Sequence, residues 1–162
     1  MIKDINISGK HNLDRINGTY ELDRPNMPYQ EQIALLNKVY LEEEKDKTKI
    51  ITREIIKKIN GYKNQDVKKH IFNKNKLISF NETIEKLVIS KLKCHYYFQK
   101  MNIIFTKPRD ETQWTLDRIN NDLCHSNDNT VVSCLKCNLQ RRCQDAKKFT
   151  FSYMGITKAR TL

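Results

Sequence analysis

Residues 114–145 read WTLDRINNDLCHSNDNTVVSCLKCNLQRRCQD and decide the fold of the second half of this 162-residue chain. Residues 114–119 and 130–133 are short and rich in aromatic and β-branched side chains, which predicts two strands. Residues 120–129 between them are mainly Asn, Asp and Ser, so they should form the loop of an antiparallel pair. Residues 138–148 contain no helix breaker and predict a basic helix. The predicted order is therefore strand, loop, strand and helix.

The first ninety residues carry apolar side chains at helical intervals instead, as in the series that begins with Ile51. Asn60-Gly61 has the composition of a left-handed helix cap, so we expect a helix to end there. Asn81 is expected to be the N-cap of a later helix. Helices are predicted over residues 29–44, 50–60, 65–73 and 81–91, with a turn near 46–48 and a further strand over 102–106.

These patterns predict an α+β protein. We expect residues 1–28 to be an irregular arm and residues 29–90 to be a helical, lysine-rich portion that binds nucleic acid. Residues 91–150 should form a small module of strands and a helix, followed by a tail over residues 151–162.

The chain carries thirty Lys and Arg against nineteen Asp and Glu, which gives a net charge of +11. A field of that size favours polyanionic partners such as nucleic acid. The helices of residues 47–76 resemble in outline either a helix-turn-helix or an ordinary hairpin with a lysine-rich face. In both cases, contacts to phosphate should give affinity without sequence preference. The residues expected to contact nucleic acid are Lys57, Lys58, Lys68, Lys69, Arg141 and Arg142.

The five cysteines are an odd number and all lie in the second half, which suits a metal site better than a disulfide framework. Cys134-x-x-Cys137 is a knuckle whose two sulfurs can bind one tetrahedral Zn²⁺. Cys94 is expected as the third ligand, but Tyr97 stands where the second Cys of an upstream pair belongs. A core role without zinc is one alternative. The other candidates for the fourth ligand are His95, Cys124, Cys143 and a water molecule.

Residues 114–145, with KCHYYF at 93–98, resemble the HNH (ββα-metal) endonuclease family in the variant whose first strand reads LDRI. Similar proteins are common in large DNA viruses and phages. The resemblance implies a ββα-metal module in which Asp117 and Asn138 hold one Mg²⁺ or Mn²⁺ through oxygen ligands. It also implies that Asn129, within the catalytic motif, stabilises the hairpin.

The family's general base is a His directly after the Asp, and this chain has Arg118 there. A guanidinium stays protonated, so Arg118 cannot accept a proton from water. His125 is the candidate replacement, because a neutral imidazole suits that step. It is alternatively a surface loop residue or a brace of the hairpin. Arg118 is then either a bidentate phosphate clamp or a sign that catalysis has been lost.

The resemblance, supported by the positive charge, implies a metal-dependent endonuclease of the HNH type that hydrolyses phosphodiester bonds in DNA, with RNA as an alternative nucleic-acid partner. The alternative is a catalytically degenerate HNH-fold protein that binds or packages nucleic acid. No glycine-rich phosphate loop or GxSxG elbow is present in the sequence. The first residues lack the apolar region of a secretory signal and no run of about 18 apolar residues occurs, so we expect no membrane association. We expect an intracellular, reducing compartment: the cytoplasm, the nucleus, or a viral particle or factory.

Overall fold

A computed structural model describes residues 22–43 and 46–159 of the chain, without the side chains of residues 153–159. Most of the predicted arm and the last three residues of the predicted tail lie outside the described residues. The chain mixes helices with an antiparallel sheet of two strands, which confirms the α+β class. The elements are α1 (Tyr29–Tyr40), a 3-10 turn (Asp46–Thr48), α2 (Lys49–Lys68), α3 (Phe80–Ile89), β1 (Trp114–Arg118), β2 (Thr130–Cys134), α4 (Leu135–Arg141) and α5 (Ala146–Ala159).

Helix α2 is one helix of 20 residues and does not end at Asn60-Gly61. A glycine inside a helix costs about 1 kcal/mol relative to alanine, and the contacts beyond it outweigh that cost. Ile55, Tyr62 and Asp66 lie buried on one face of α2. The burial of Tyr62 and Asp66, which follow Gly61, stabilises the helix beyond the glycine.

The end of α2 replaces the predicted third helix over residues 65–73. His70 adopts a left-handed backbone with φ 57°. The Ile71 N–H donates to the Asp66 carbonyl at 3.0 Å, as in a Schellman cap. The helix-turn-helix outline is therefore absent from residues 47–76, which the structure describes.

The N-cap of α3 is Ser79, two residues before the expected N-cap Asn81. Ser79 has an extended backbone, its hydroxyl accepts from the Glu82 N–H, and the Glu82 side chain accepts from the Ser79 N–H. This reciprocal capping box satisfies two backbone donors that Asn81 would leave unpaired. Behind it, α3 packs Ile84 and Leu87 into a common core with α1 and α2.

The two predicted strands of the second half are present, with Trp114 opposite Cys134 and Arg118 opposite Thr130. The predicted strand over 102–106 is not formed in this described segment. The buried Gln32 side chain explains the difference, because its oxygen accepts from the Ile103 and Ile104 N–H groups at 2.7 and 2.9 Å. A side chain thus takes the hydrogen bonds that a neighbouring strand would make.

The predicted helix over 138–148 is divided into two. Helix α4 starts directly after β2, with Cys134 as its N-cap, and ends at Arg141. Arg142 has φ 51°, which turns the chain before α5 begins at Ala146. Phe149 of α5 packs edge-on against Tyr96 with 5.0 Å between ring centroids. Residues 151–159 of the predicted tail are thus helical.

Helix α2 covers the edge of β1 that faces away from β2. The Leu116 N–H donates to the Tyr62 hydroxyl at 2.9 Å, and the Lys58 ammonium donates to the Trp114 carbonyl. The edge is closed by side chains, so α2 is fixed directly beside β1. Within the described ranges, every helix is too short or too polar to span a bilayer.

Candidate active site and metal centre

An open cavity of about 600 Å³ lies between α2, β1 and α4. Four residues singled out by the sequence line it, although they come from β1, the loop after it and α4: Asp117, Arg118, His125 and Asn138. Basic side chains surround them: Lys57, Lys58, Lys69 and Arg142 also line the cavity. The fold therefore brings the predicted chemical groups and much of the predicted basic surface into one place.

His125 is held by a residue that the sequence analysis did not single out. The ring Nδ1 lies 2.7 Å from Asp66 Oδ1, and the His125 N–H donates to Asp66 Oδ2 at 2.8 Å. The Tyr62 ring stacks on the imidazole with 4.6 Å between centroids. His125 is only 3% exposed, so it is not a surface loop residue. The available signal for Asp66 was its helical spacing from Tyr62 on the buried face of α2.

The charge of Asp66 is balanced by Arg118, whose Nη1 lies 3.7 Å from Asp66 Oδ1. Both side chains are buried, and Arg118 also donates to the Leu123 carbonyl at 3.2 Å. A proton on His125 would add an uncompensated charge to this pair. Burial lowers the pKa of His125, and Arg118 and Lys69 lower it further, whereas Asp66 raises it. The arrangement favours a neutral imidazole.

Asp117 is engaged by a residue that was expected on the surface. Arg141 donates from Nε to Oδ2 at 2.5 Å and from Nη2 to Oδ1 at 2.7 Å, and the Tyr96 hydroxyl donates to Oδ2 at 2.7 Å. Arg141 is 1% exposed and also donates to the Arg118 carbonyl. The expectation that Arg141 contacts nucleic acid is therefore wrong for this fold.

This pairing bears on the divalent site implied by the family resemblance. Both Asp117 oxygens already accept hydrogen bonds, and a guanidinium neutralises the carboxylate. Asn138 lies on α4, about one turn before Arg141, and its side-chain amide donates to Thr115 Oγ1 at 3.0 Å. A hard cation needs a carboxylate oxygen that it can coordinate and whose charge is not cancelled. In this arrangement, Asp117 and Asn138 do not fit a Mg²⁺ or Mn²⁺ ion.

The predicted phosphate contacts divide into exposed and internal side chains. Lys57, Lys68, Lys69 and Arg142 are exposed, and all but Lys68 line the cavity. Lys58 instead donates to Gln113 Oε1 at 3.1 Å and to the strand edge. Burial, with the Arg24 charge as the second cause, lowers its pKa to about 7. Lys58 is a strut between α2 and β1, contrary to the expectation that it contacts phosphate.

Asn129 closes the loop between the strands. Its Nδ2 donates to the carbonyls of Asn120 and Cys124 at 2.9 and 3.0 Å, and its Oδ1 accepts from the Asn120 N–H at 2.9 Å. The two bonds to Asn120 join the ends of the loop that carries His125, and the bond to Cys124 ties the middle of the loop to its end. Asn129 thus acts on the loop geometry and not on a reacting atom.

Cys94, Cys134 and Cys137 form a buried cluster whose sulfur atoms all lie within 4.8 Å of one another. The three thiols are close enough to bind a metal such as zinc. Hydrogen bonds from Cys134 and then from Cys137 lower the pKa of Cys94, so one thiolate is already favoured in the cluster. The Gln99 amide donates to Cys134 Sγ at 3.2 Å.

None of the three side chains considered as the fourth ligand, His95, Cys124 and Cys143, is in the cluster. Over residues 22–43 and 46–159, no further His, Cys, Asp or Glu side chain joins the three sulfurs. Cys143 is exposed beside the cavity, and Cys124 is buried in the loop. Tyr97, which stands where a second upstream Cys was expected, is 45% exposed, whereas the three cysteines of the cluster are buried. A metal here would have three thiolates, and its fourth position would be filled by another kind of donor.

No family model, curated protein or solved structure matches this chain. The family resemblance therefore depends on the quoted residues alone. The geometry of the cavity and of the cysteine cluster has to carry any functional conclusion.

Proposed function

We propose that this chain is an HNH-type endonuclease that hydrolyses phosphodiester bonds in DNA. The observation that carries the proposal is the placement of His125, with a lowered pKa, in a cavity whose lining includes five Lys and Arg side chains. A neutral imidazole can take a proton from water, and cations can hold a phosphate group beside it.

The proposed reaction is hydrolysis in a single displacement. The His125 Nε2 accepts a proton from a water molecule whose oxygen forms a bond to phosphorus. The bond from phosphorus to the leaving sugar oxygen breaks, and that oxygen takes a proton from solvent. Lys57, Lys69 and Arg142 hold the phosphate and stabilise the negative charge of the transition state. Arg118 lines the same cavity and adds positive charge behind the base.

No step of this proposal is assigned to Mg²⁺ or Mn²⁺, because the Asp117 carboxylate already accepts hydrogen bonds from Arg141 and Tyr96. Zinc has a separate, structural role in the proposal. Bound to Cys94, Cys134 and Cys137, it would tie the segment before β1 to the start of α4. Purified protein should then contain about one zinc per chain, which Cys94→Ser should lose and Cys143→Ser should keep.

The decisive test is plasmid nicking by a matched pair of histidine variants. His125→Asn keeps a donor toward Asp66 and removes Nε2, so nicking should fall by about 100-fold. His70→Asn is the control, because His70 is exposed and Asn tolerates its left-handed backbone. Assays with Mg²⁺, with Mn²⁺ and without added metal show whether a divalent ion is required. Equal rates for wild type and His125→Asn would refute the assignment of the base.

A specific observation favours the second candidate function, a catalytically degenerate protein that binds or packages nucleic acid. The expected metal ligand Asp117 is bonded internally, as a structural carboxylate would be. If wild type does not nick DNA under any of these conditions, yet binds it as tightly as His125→Asn does, this candidate replaces the nuclease.

A further inference from the structure

Asp66 belongs to the last turn of α2, far in sequence from the loop that carries His125. Its side chain is completely buried, and His125 lies directly against it. Resting on the proposed function, we infer that Asp66 is a positioning residue that holds the His125 proton on Nδ1 and leaves Nε2 bare toward the cavity. The helical half of the chain, which already supplies Lys57 and Lys69 to the cavity lining, thereby also orients the proposed base.

The hydrogen bonds fix the tautomer. An ionised carboxylate only accepts hydrogen bonds, so the ring nitrogen 2.7 Å from Asp66 Oδ1 must carry the proton. The second carboxylate oxygen accepts from the His125 backbone at 2.8 Å, which ties the ring and its own main chain to one group. In a neutral imidazole the other nitrogen, Nε2, then has the free lone pair that a base requires.

Further contacts fix the ring in space. Tyr62 stacks on it with an interplanar angle of 26°, and the His125 carbonyl accepts from the Ile78 N–H at 2.8 Å. Tyr62 and Asp66 are four residues apart on α2, so one helix face supplies both the stacking partner and the acceptor. Turning the ring would break its hydrogen bond to Asp66 and its stacking on Tyr62.

The charges that face the ring come from two elements. Helix α2 contributes Asp66 and Lys69, and β1 contributes Arg118. Because Arg118 balances Asp66, the carboxylate can orient the imidazole without keeping it protonated. Removing the Asp66 charge takes away the one influence that raises the pKa of His125, so that pKa should fall further.

The first test does not depend on nuclease activity. Two-bond proton–nitrogen correlation spectra report which ring nitrogen of a histidine carries the proton, and the His125 signals are those missing from His125→Asn. In wild type above the pKa of His125, we expect the single tautomer with the proton on Nδ1. The tautomer with the proton on Nε2 would overturn the inference, whether or not the chain nicks DNA.

The second test measures nicking by Asp66→Asn. We expect kcat to fall by about 10- to 100-fold with KM for DNA unchanged, because an amide no longer enforces one tautomer. The rising limb of the pH–rate profile should move to lower pH, because the base has a lower pKa. A purely structural role for Asp66 would leave that limb in place.

Glu54→Gln is the matched control. Glu54 is another buried carboxylate on α2, bonded at 2.5 Å to Arg24 and absent from the cavity lining. Both variants should lower the melting temperature, but only Asp66→Asn should change the pH profile. If wild type nicks DNA, His125→Asn does not, and Asp66→Asn matches wild type in kcat and pH profile, then the role of Asp66 is refuted while the proposed function stands.

Discussion

Two buried carboxylates lie close to the cavity and are used in opposite ways: Asp117 lines it, and Asp66 contacts His125, which lines it. Asp117 faces Arg141, which donates to both of its oxygens, and Tyr96 adds a third hydrogen bond. Asp66 faces His125, whose ring keeps one nitrogen free of that carboxylate. The first pair is closed to proton transfer, because a guanidinium never gives up its proton. The second pair can pass on a proton, because an imidazole titrates near neutral pH.

The comparison teaches that a carboxylate's role depends on the partner that the fold places against it. The family resemblance implied that Asp117 is a ligand of a divalent ion, and the structure places it in an ion pair with Arg141. The carboxylate in contact with the proposed base, His125, is instead Asp66, from a helix in which only lysines were predicted to be functional. Experiments that separate stability from activity should distinguish the two pairs.

The largest effect is expected for Arg141→Met. Removing one partner of a buried ion pair leaves the other charge without compensation, which should lower the free energy of unfolding by about 3–5 kcal/mol. Urea unfolding measures it. Arg142→Met is the control, because Arg142 is exposed and its loss should cost no more than about 0.5 kcal/mol. Similar losses for the two variants would contradict the description of Asp117 and Arg141 as a closed pair.

A smaller effect is expected in the pH dependence of stability. The pKa of His125 is lower in the folded chain than in the unfolded one, where it is near 6.5. As the pH falls below about 6.5, the unfolded chain takes up the proton first, so stability is full above that pH and decreases below it. The slope from this one group is at most about 1.4 kcal/mol per pH unit.

The measurement is urea unfolding between pH 5 and pH 8, roughly the range in which an imidazole titrates. Relative to wild type, His125→Asn should lose this part of the slope, and His70→Asn should keep it. Arg141→Met should keep it as well, because a guanidinium does not titrate in this range. An unchanged slope in His125→Asn would show that His125 titrates alike in the folded and unfolded chains.

The smallest effect is expected for single lysines at the mouth of the cavity. If Lys69 contacts one phosphate, Lys69→Ala should reduce the slope of log K against log salt by about 0.9. Lys107→Ala is the control, since Lys107 is exposed and does not line the cavity. Equal slopes for wild type and Lys69→Ala would remove Lys69 from the DNA-binding surface.

Local sequence patterns correctly predicted the elements that depend on residue composition and on short spacings along the chain. The alternation and composition around Trp114 and Val132 gave both strands, and the spacing of Cys134 and Cys137 gave two members of the cysteine cluster. The patterns failed where a distant side chain changed the outcome. Gln32 took the backbone hydrogen bonds of residues 103 and 104, and the buried face that includes Tyr62 carried α2 past Gly61.

The candidate site divides in the same way. Residue types alone made His125 the candidate general base and excluded Arg118 from that role, because an imidazole can accept a proton and a guanidinium cannot. Their surroundings were not predictable, since Asp66 is 59 positions from His125 and Arg141 is 24 from Asp117. Nothing in the local sequence indicates which basic side chain each carboxylate will contact.

The amino-acid sequence by itself determined the mixed helix and strand content, the positive charge, the three cysteines able to bind a metal and the presence of a histidine in the loop after β1. Those properties depend on residue type and short spacing. Only the tertiary structure decided that Arg141 closes Asp117 and that Asp66 orients His125. Burial is the physical reason, because inside the protein a charged group must find a partner, and the packing of α2 and α4 against β1 selects that partner.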